Sequence, residues 1–271
     1  MAEQRAVNSK VPGSSPGGAA KRYERRERMK IQFTFVGPDK NFEDVLEPPK
    51  PASMFMPQWY KDMPQIRPSS GDSSPGLLPQ DQYVNNSTLK HCSPFLDAIT
   101  AGYIHALPID MEIRKDENDL FFFRWKTPGD FVSSHSEDQH PGLPAPSGGK
   151  SDVMKWTFDF KITTPPGYSA IFTHPLNRHD LPFRTFSGIV DTDGYTQSVQ
   201  FPFQLLSSEI GDHLIIKKGT PLVQIIPFKR EPWKSELTKQ SDKKTFKEYF
   251  DFNSTIVKPY KNKFWKKKTY K

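Results

Sequence analysis

"KWTFDFKITTPPGYSAIFT", Lys155–Thr173, places Trp156, Phe158, Phe160 and Ile162 on one side of an extended chain and Thr157, Asp159, Lys161 and Thr163 on the other. That two-residue period marks a strand with one buried face. Pro165-Pro166-Gly167 then denies the backbone its ladder and helix hydrogen bonds, so the chain turns before "YSAIFT" resumes the alternation. Downstream, "FRTFSGIV", "YTQSVQFPFQLL" and "DHLIIKKGTPLVQIIPF" keep the rhythm, with short turns between them. Short strands so spaced predict a mainly β fold, an antiparallel β-sandwich or barrel.

Composition agrees. The chain has 271 residues, 35% of them hydrophobic and 13% aromatic, which suffices for a packed core. Pro (26) outnumbers Gly (16), and Phe, Val and Ile favour strands over helices. Cys92 is the only cysteine, so an intrachain disulfide and a thiolate metal cage are excluded, and a reducing, cytoplasmic location is expected. No apolar run approaches the roughly 18 residues of a membrane span, and the N-terminus lacks the apolar stretch of a signal peptide. A membrane partner is not expected. With no Gly-rich phosphate loop, a doubly wound nucleotide fold is not expected either.

Upstream, "KIQFTFV" alternates like a strand, and the Pro-rich "EPPKPASMFMPQWYKDMPQIRP" reads as an extended strap carrying Met54, Phe55, Met56, Trp59 and Tyr60. A short helix is predicted near 93–101, with Pro94 in its first turn and Gly102 as its stop. A strand from Tyr103 to Ile113 and a second in "DLFFFRWK" follow. Thr127–Lys150 then reads as a long loop holding His135 and His140.

The net charge of +7 is unevenly distributed. Residues 1–29 carry seven basic and three acidic groups, residues 258–271 carry seven lysines and no acid, and the body between has 24 basic and 28 acidic groups. Three segments result: residues 1–28 as a disordered or artefactual extension, 29–233 as one β-rich domain, and 234–271 as a helix near 234–251 followed by a basic aromatic tail. "KVPGSSPGG" matches what the T-arm of a transfer-RNA gene would encode, and "ERRER" before Met29 matches a purine-rich ribosome-binding sequence, so translation is expected to start at Met29.

The densest polar cluster is "SGIVDTDGYTQSVQFPF", Ser187–Phe203. Asp191, Asp193 and Tyr195 gather at a turn, which reads either as a catalytic corner or as a hairpin whose Asp side chains cap backbone amides. A metal site drawn from His174, His179, Asp180, Asp191 and Asp193 lacks a closely spaced His-x-Asp pair, so no metal is expected, and the sequence indicates no particular cofactor.

Two resemblances follow from these motifs. The block "LKHCSPFLDAITAGYIHAL … KWTFDFKITTPPGYSAIFTHPLNR … FSGIVDTDGYTQSVQFPF … IIKKGTPLVQIIPFKREPW" resembles an uncharacterised family of marine phage and bacterial proteins, from Met29 to about Trp233. It implies a phage origin and a host-cytoplasm location but no reaction. Over about a quarter of the chain, Thr164-Pro165-Pro166-Gly167-Tyr168, then Pro175 and Arg178, then Gly188-Ile189-Val190-Asp191, Tyr195 and Gly219–Gln224 are similar to the β-barrel of the dUTPase and dCTP deaminase superfamily. The resemblance implies Asp191 as catalytic residue, Arg178 on phosphate, and Asp193, Tyr195 and Gln224 around a nucleotide. The chain departs from that pattern. "HPLNRHD" lacks the Ser-Gly of the phosphate segment, one extra residue separates Asp191 from Tyr195, and Gly219 is the last glycine, where the family closes its site with a glycine-rich arm.

In the tail, Lys261, Lys263, Lys266, Lys267 and Lys268 interleave with Tyr260, Phe264, Trp265 and Tyr270. This fits single-stranded nucleic acid, or a solvated tail whose aromatics dock on a neighbouring subunit. Three functions are therefore expected to compete. They are a non-catalytic β-barrel ligand-binding or assembly protein that can form homo-oligomers, a dUTPase-like nucleotide hydrolase or deaminase using Asp191, and a protein that meets single-stranded nucleic acid through its tail.

Overall fold

The computed structural model describes residues 29–37, 45–66, 88–117, 121–127, 129–135, 137–144, 152–206, 213–238, 247 and 259–271. Among them the chain is mostly β. Its strands are β1 Gln32–Phe35, β2 Lys50–Pro51, β3 Tyr103–Ala106, β4 Met111–Lys115, β5 Phe121–Arg124, β6 Val132–Ser134, β7 Met154–Trp156, β8 Phe160–Thr163, β9 Tyr168–Thr173, β10 Phe183–Thr185, β11 Gly188–Val190, β12 Phe201–Leu205, β13 His213–Ile216 and β14 Pro221–Lys229. Among the described residues, the α-helices α1 Gln58–Asp62, α2 Ser93–Thr100 and α3 Pro259–Lys263 accompany them.

All the strand pairings are antiparallel. They form a five-stranded sheet in the order β11-β9-β14-β3-β2, a four-stranded sheet β10-β12-β7-β6, a three-stranded sheet β13-β4-β5 and the pair β1-β8. The sheets stack as a sandwich and do not close into a barrel. Phe172 of β9 stacks on Phe201 of β12 at 5.4 Å, and Trp156 of β7 lies parallel to Phe203 at 3.7 Å. Phe123 of β5 meets Phe203 edge-on at 6.4 Å, so the three-stranded sheet shares the same core. Offset and edge-to-face ring pairs contribute beyond the area they bury, which suits a core this rich in Phe.

The stretch that sets the alternation feeds two sheets. Trp156, Phe158, Phe160 and Ile162 are all buried, although the regular strands stop at Trp156 and restart at Phe160. Thr157–Asp159 is the crossing: the Thr157 N–H donates to the Phe131 carbonyl at 3.0 Å, and the Asp159 carbonyl accepts from Val36 N–H at 2.8 Å. Inward alternation survives a change of sheet because the backbone stays extended.

Helix α2 forms where Pro94 and Gly102 place it, with Pro94 in the first turn and Gly102 at φ +66° just past its end. A Cβ on Gly102 would sit 2.0 Å from the Ile225 carbonyl oxygen, so both the turn and the close approach to β14 require glycine. The expected strand from Tyr103 to Ile113 is two strands, because Pro108 interrupts it. Leu107 N–H bonds to Thr220 O and Gly219 N–H to Leu107 O, carrying the chain into the next sheet. The long loop contains β6 and a turn at Glu137–Gln139. The Pro-rich strap packs on its own domain: Lys50–Pro51 pairs with β3, and Tyr60 stacks on Phe95 of α2 at 5.9 Å. Of the helix expected near 234–251, Lys234–Thr238 is irregular and exposed, Lys247 is helical, and the remainder lies outside the described residues, as do residues 1–28.

Candidate functional site

The candidate residues of the nucleotide site and of the tail occupy three separate places. The first is the acidic corner. Gly167 ends the Pro-Pro-Gly turn at φ +82°, and its N–H donates to Asp193 Oδ2 at 2.8 Å. Arg230, just past β14, is anchored by its N–H to the Gly167 carbonyl (2.8 Å) and extends its guanidinium across the corner. Its Nη1 donates to Asp193 Oδ1 at 2.9 Å and to Ser169 Oγ at 3.0 Å, and Nη2 donates to Asp193 Oδ2. The bidentate pair, with the Gly167 N–H behind it, holds the Asp193 carboxyl at about 2, below its ordinary 3.8. Asp191 Oδ1 accepts from Ser169 Oγ at 2.6 Å and lies 3.2 Å from Arg230 Nη1.

Beneath the carboxylates, backbone bonds close the turn. Gly194 and Tyr195 N–H both reach the Asp191 carbonyl, at 3.1 and 3.0 Å. Thr192 is buried and its hydroxyl meets Thr164 Oγ1 at 2.7 Å, which pins this turn to the Pro-Pro-Gly turn. Backbone bonds close this turn, the strands on its two sides do not pair, and the Asp193 side chain instead caps the Gly167 N–H of the neighbouring turn, with Arg230 as an added clasp. The period of β14, which carries the residue after Lys229 back beside the start of β9, is the signal that could have found it. Tyr195 is 43% exposed beside the turn.

The second place is a buried junction around Gln224, which is fully buried in β14. Its Oε1 accepts from Leu176 N–H at 2.7 Å, while its Nε2 donates to the Ala98 carbonyl at 2.9 Å and the Ala101 carbonyl at 2.7 Å. One amide therefore ties the end of α2 and the 174–178 turn to the central strand. Arg178 lies over this junction with its side chain 12% exposed, in a bidentate pair with Asp180: Nε to Oδ1 at 2.8 Å and Nη2 to Oδ2 at 2.9 Å. Its Nη1 also points at the Phe55 carbonyl, 3.4 Å away. The crevice that Arg178 and Gln224 border has a volume of only about 10 Å³, at the lower limit for a single water. His174 is held there as well. Its Nε2 donates to Arg178 O at 2.9 Å, its Nδ1 faces Thr185 N–H at 3.4 Å, and burial lowers its pKa, which keeps the ring neutral.

The third place is the tail. Trp265 Nε1 donates to Asp97 Oδ2 on α2 at 2.9 Å, Lys268 Nζ pairs with the same oxygen, and that ammonium lies 5.9 Å from the Trp265 ring centre. Tyr270 packs edge-on against Tyr103 at 6.1 Å and is raised in pKa by burial. Within the chain, Trp265 and Tyr270 dock on the body.

Among the described residues, no group of three or more His, Cys, Asp or Glu is placed to hold a metal ion. A cavity of about 680 Å³ lies between the start of β1, the Pro-Pro-Gly turn and the C-terminus. Tyr103, Thr164, Tyr168 and Tyr270 line it, whereas Asp191, Arg178 and Gln224 do not. No helix among the described residues is long and apolar enough to cross a membrane.

No protein-family model matches the sequence, and no curated protein matches it. Among solved structures the chain is similar to the native dUTPase of EIAV, at 17% identity over 51% of this chain and 87% of that one, with a TM-score of 0.28. It is similar to a mutant dUTPase of Staphylococcus bacteriophage 80alpha with dUpNHpp, at 10% identity over 79% and 90% of the two chains, TM-score 0.33. A mutant dUTPase from phage phi11 of S. aureus, described for its structural Mg(II) ion, is 11% identical over 52% and 85%, TM-score 0.29.

Proposed function

We propose that this chain is a non-catalytic β-sandwich protein that binds a small ligand or serves in assembly. The observation that supports this most directly is the separation of the candidate residues. Arg178 and Gln224 meet at a crevice of about 10 Å³, and Asp191 and Asp193 are bound by Arg230 at a different turn. A hydrolase needs a base and a phosphate-binding cation converging on one substrate pose. Here each charge is answered by a neighbouring side chain, Arg178 by Asp180 and both Asp191 and Asp193 by Arg230. Ligand binding is better served by the 680 Å³ cavity, whose three tyrosines offer apolar faces with hydroxyl groups.

A dUTPase-like hydrolase or deaminase is the competing reading, favoured by one observation: the Asp191 side chain is 71% exposed and could reach a water. Turnover of a deoxynucleoside triphosphate panel by the full chain separates the two. No product is expected from the wild type; turnover that Asp191→Ala abolishes would overturn the proposal. Thermal-shift screening with Tyr168→Ala as control then tests the cavity, and light scattering tests for a homo-oligomer.

A further inference from the structure

The docked tail sorts its cations into two kinds. Lys268 is engaged with Asp97, together with the Trp265 indole. Lys261, Lys263, Lys266 and Lys267 are exposed and, among the described residues, stand in no ion pair. Between them sit two large rings, Tyr260 at 39% and Phe264 at 59% exposure.

We infer that this segment is a ridge for single-stranded nucleic acid: Lys261, Lys263, Lys266 and Lys267 face phosphates, Tyr260 and Phe264 stack on bases, and Trp265 and Lys268 anchor the ridge to Asp97. Exposed lysines interspersed with exposed rings match a partner that shows both phosphate charge and unstacked bases. A bilayer or a duplex is a broader anionic surface. The body, residues 30–257, carries 28 acidic against 24 basic groups and so adds no attraction toward such a surface. Helix α3, five residues long, is also too short to lay an apolar face into lipid headgroups. Docking favours binding because the ridge is already ordered, which lowers the entropy lost when the partner is captured. None of the ridge's described contacts involves Asp191, Asp193 or Arg230, so it is tested separately from the corner.

The test is fluorescence anisotropy of the full chain with a labelled oligothymidylate of about 20 nucleotides over a salt series. Replacing Lys261, Lys263, Lys266 and Lys267 together by Gln should flatten the slope of log affinity against log salt by about 2.8, roughly 0.7 per lysine, and weaken binding at least ~10-fold. Tyr260→Ala with Phe264→Ala should weaken binding about 10-fold and leave that slope unchanged. Lys268→Gln should not flatten the slope, and Asp97→Asn, which frees Lys268, should steepen it by up to about 0.7. Four results would each overturn the inference. They are no binding by the wild type, a wild-type slope in the fourfold variant, a Lys268→Gln slope as flat as that variant's, and capture by phosphatidylserine vesicles without capture by the oligonucleotide.

Discussion

The acidic corner and the Gln224 junction are built from similar pieces: a glycine or proline turn, a polar side chain from the β14 region, and backbone groups of a distant loop. The corner lies at the rim, where water can replace any bond that is lost. The junction is buried, and there a single neutral amide satisfies three backbone groups. The difference teaches that charge is a poor guide to structural importance. The conspicuous carboxylates hold a surface turn, while an uncharged glutamine holds the domain's central strand to its helix.

The largest effect should come from breaking the junction. Gln224→Leu keeps the volume but strands Leu176 N–H and the Ala98 and Ala101 carbonyls away from water, and should destabilise the fold by about 2–4 kcal/mol in urea unfolding. A loss below that of the corner variants would reverse the comparison.

The corner should show its effect through pH. Folding lowers the Asp193 pKa from 3.8 to about 2, so its contribution is fully present above 3.8 and is lost as pH falls from there toward 2. Asp193→Asn should therefore be less stable than the wild type at neutral pH, with the two melting curves converging through that acid window. Parallel curves down to the lower limit would mean that Asp193 is not held by Arg230. The smallest effect belongs to Asp191→Asn, which should fall within about 0.5 kcal/mol, because that side chain is mostly exposed and Ser169 keeps Arg230 as a partner.

The sequence made legible what depends on local pattern. Alternation from Trp156 to Ile162 located one buried face, Pro94 and Gly102 bracketed a helix, and Asp191–Gly194 formed a turn. What it left hidden depends on distant pairing. Nothing near Tyr103 announces that Leu107 will exchange backbone bonds with Gly219 and Thr220, so one predicted strand became two. Arg230 gave no sign of its partners because Asp193 lies 37 positions away. The barrel and sandwich alternatives have the same alternation and differ only in whether edge strands meet, which periodicity does not encode. Asp97, inside a helix chosen for its ends, showed nothing of the tail it would receive 168 positions later.

The continuous ribbon from Trp156 to Ile162 serves the four-stranded sheet and the β1-β8 pair with a single phase of side chains. A codon deleted anywhere along it would invert the orientation of everything beyond the lesion, leaving one layer correct and turning the other inside out. Length changes should therefore be absent from this ribbon in natural variants and accumulate in the turns on either side, so that the spacing of these residues is inherited more strictly than their identities.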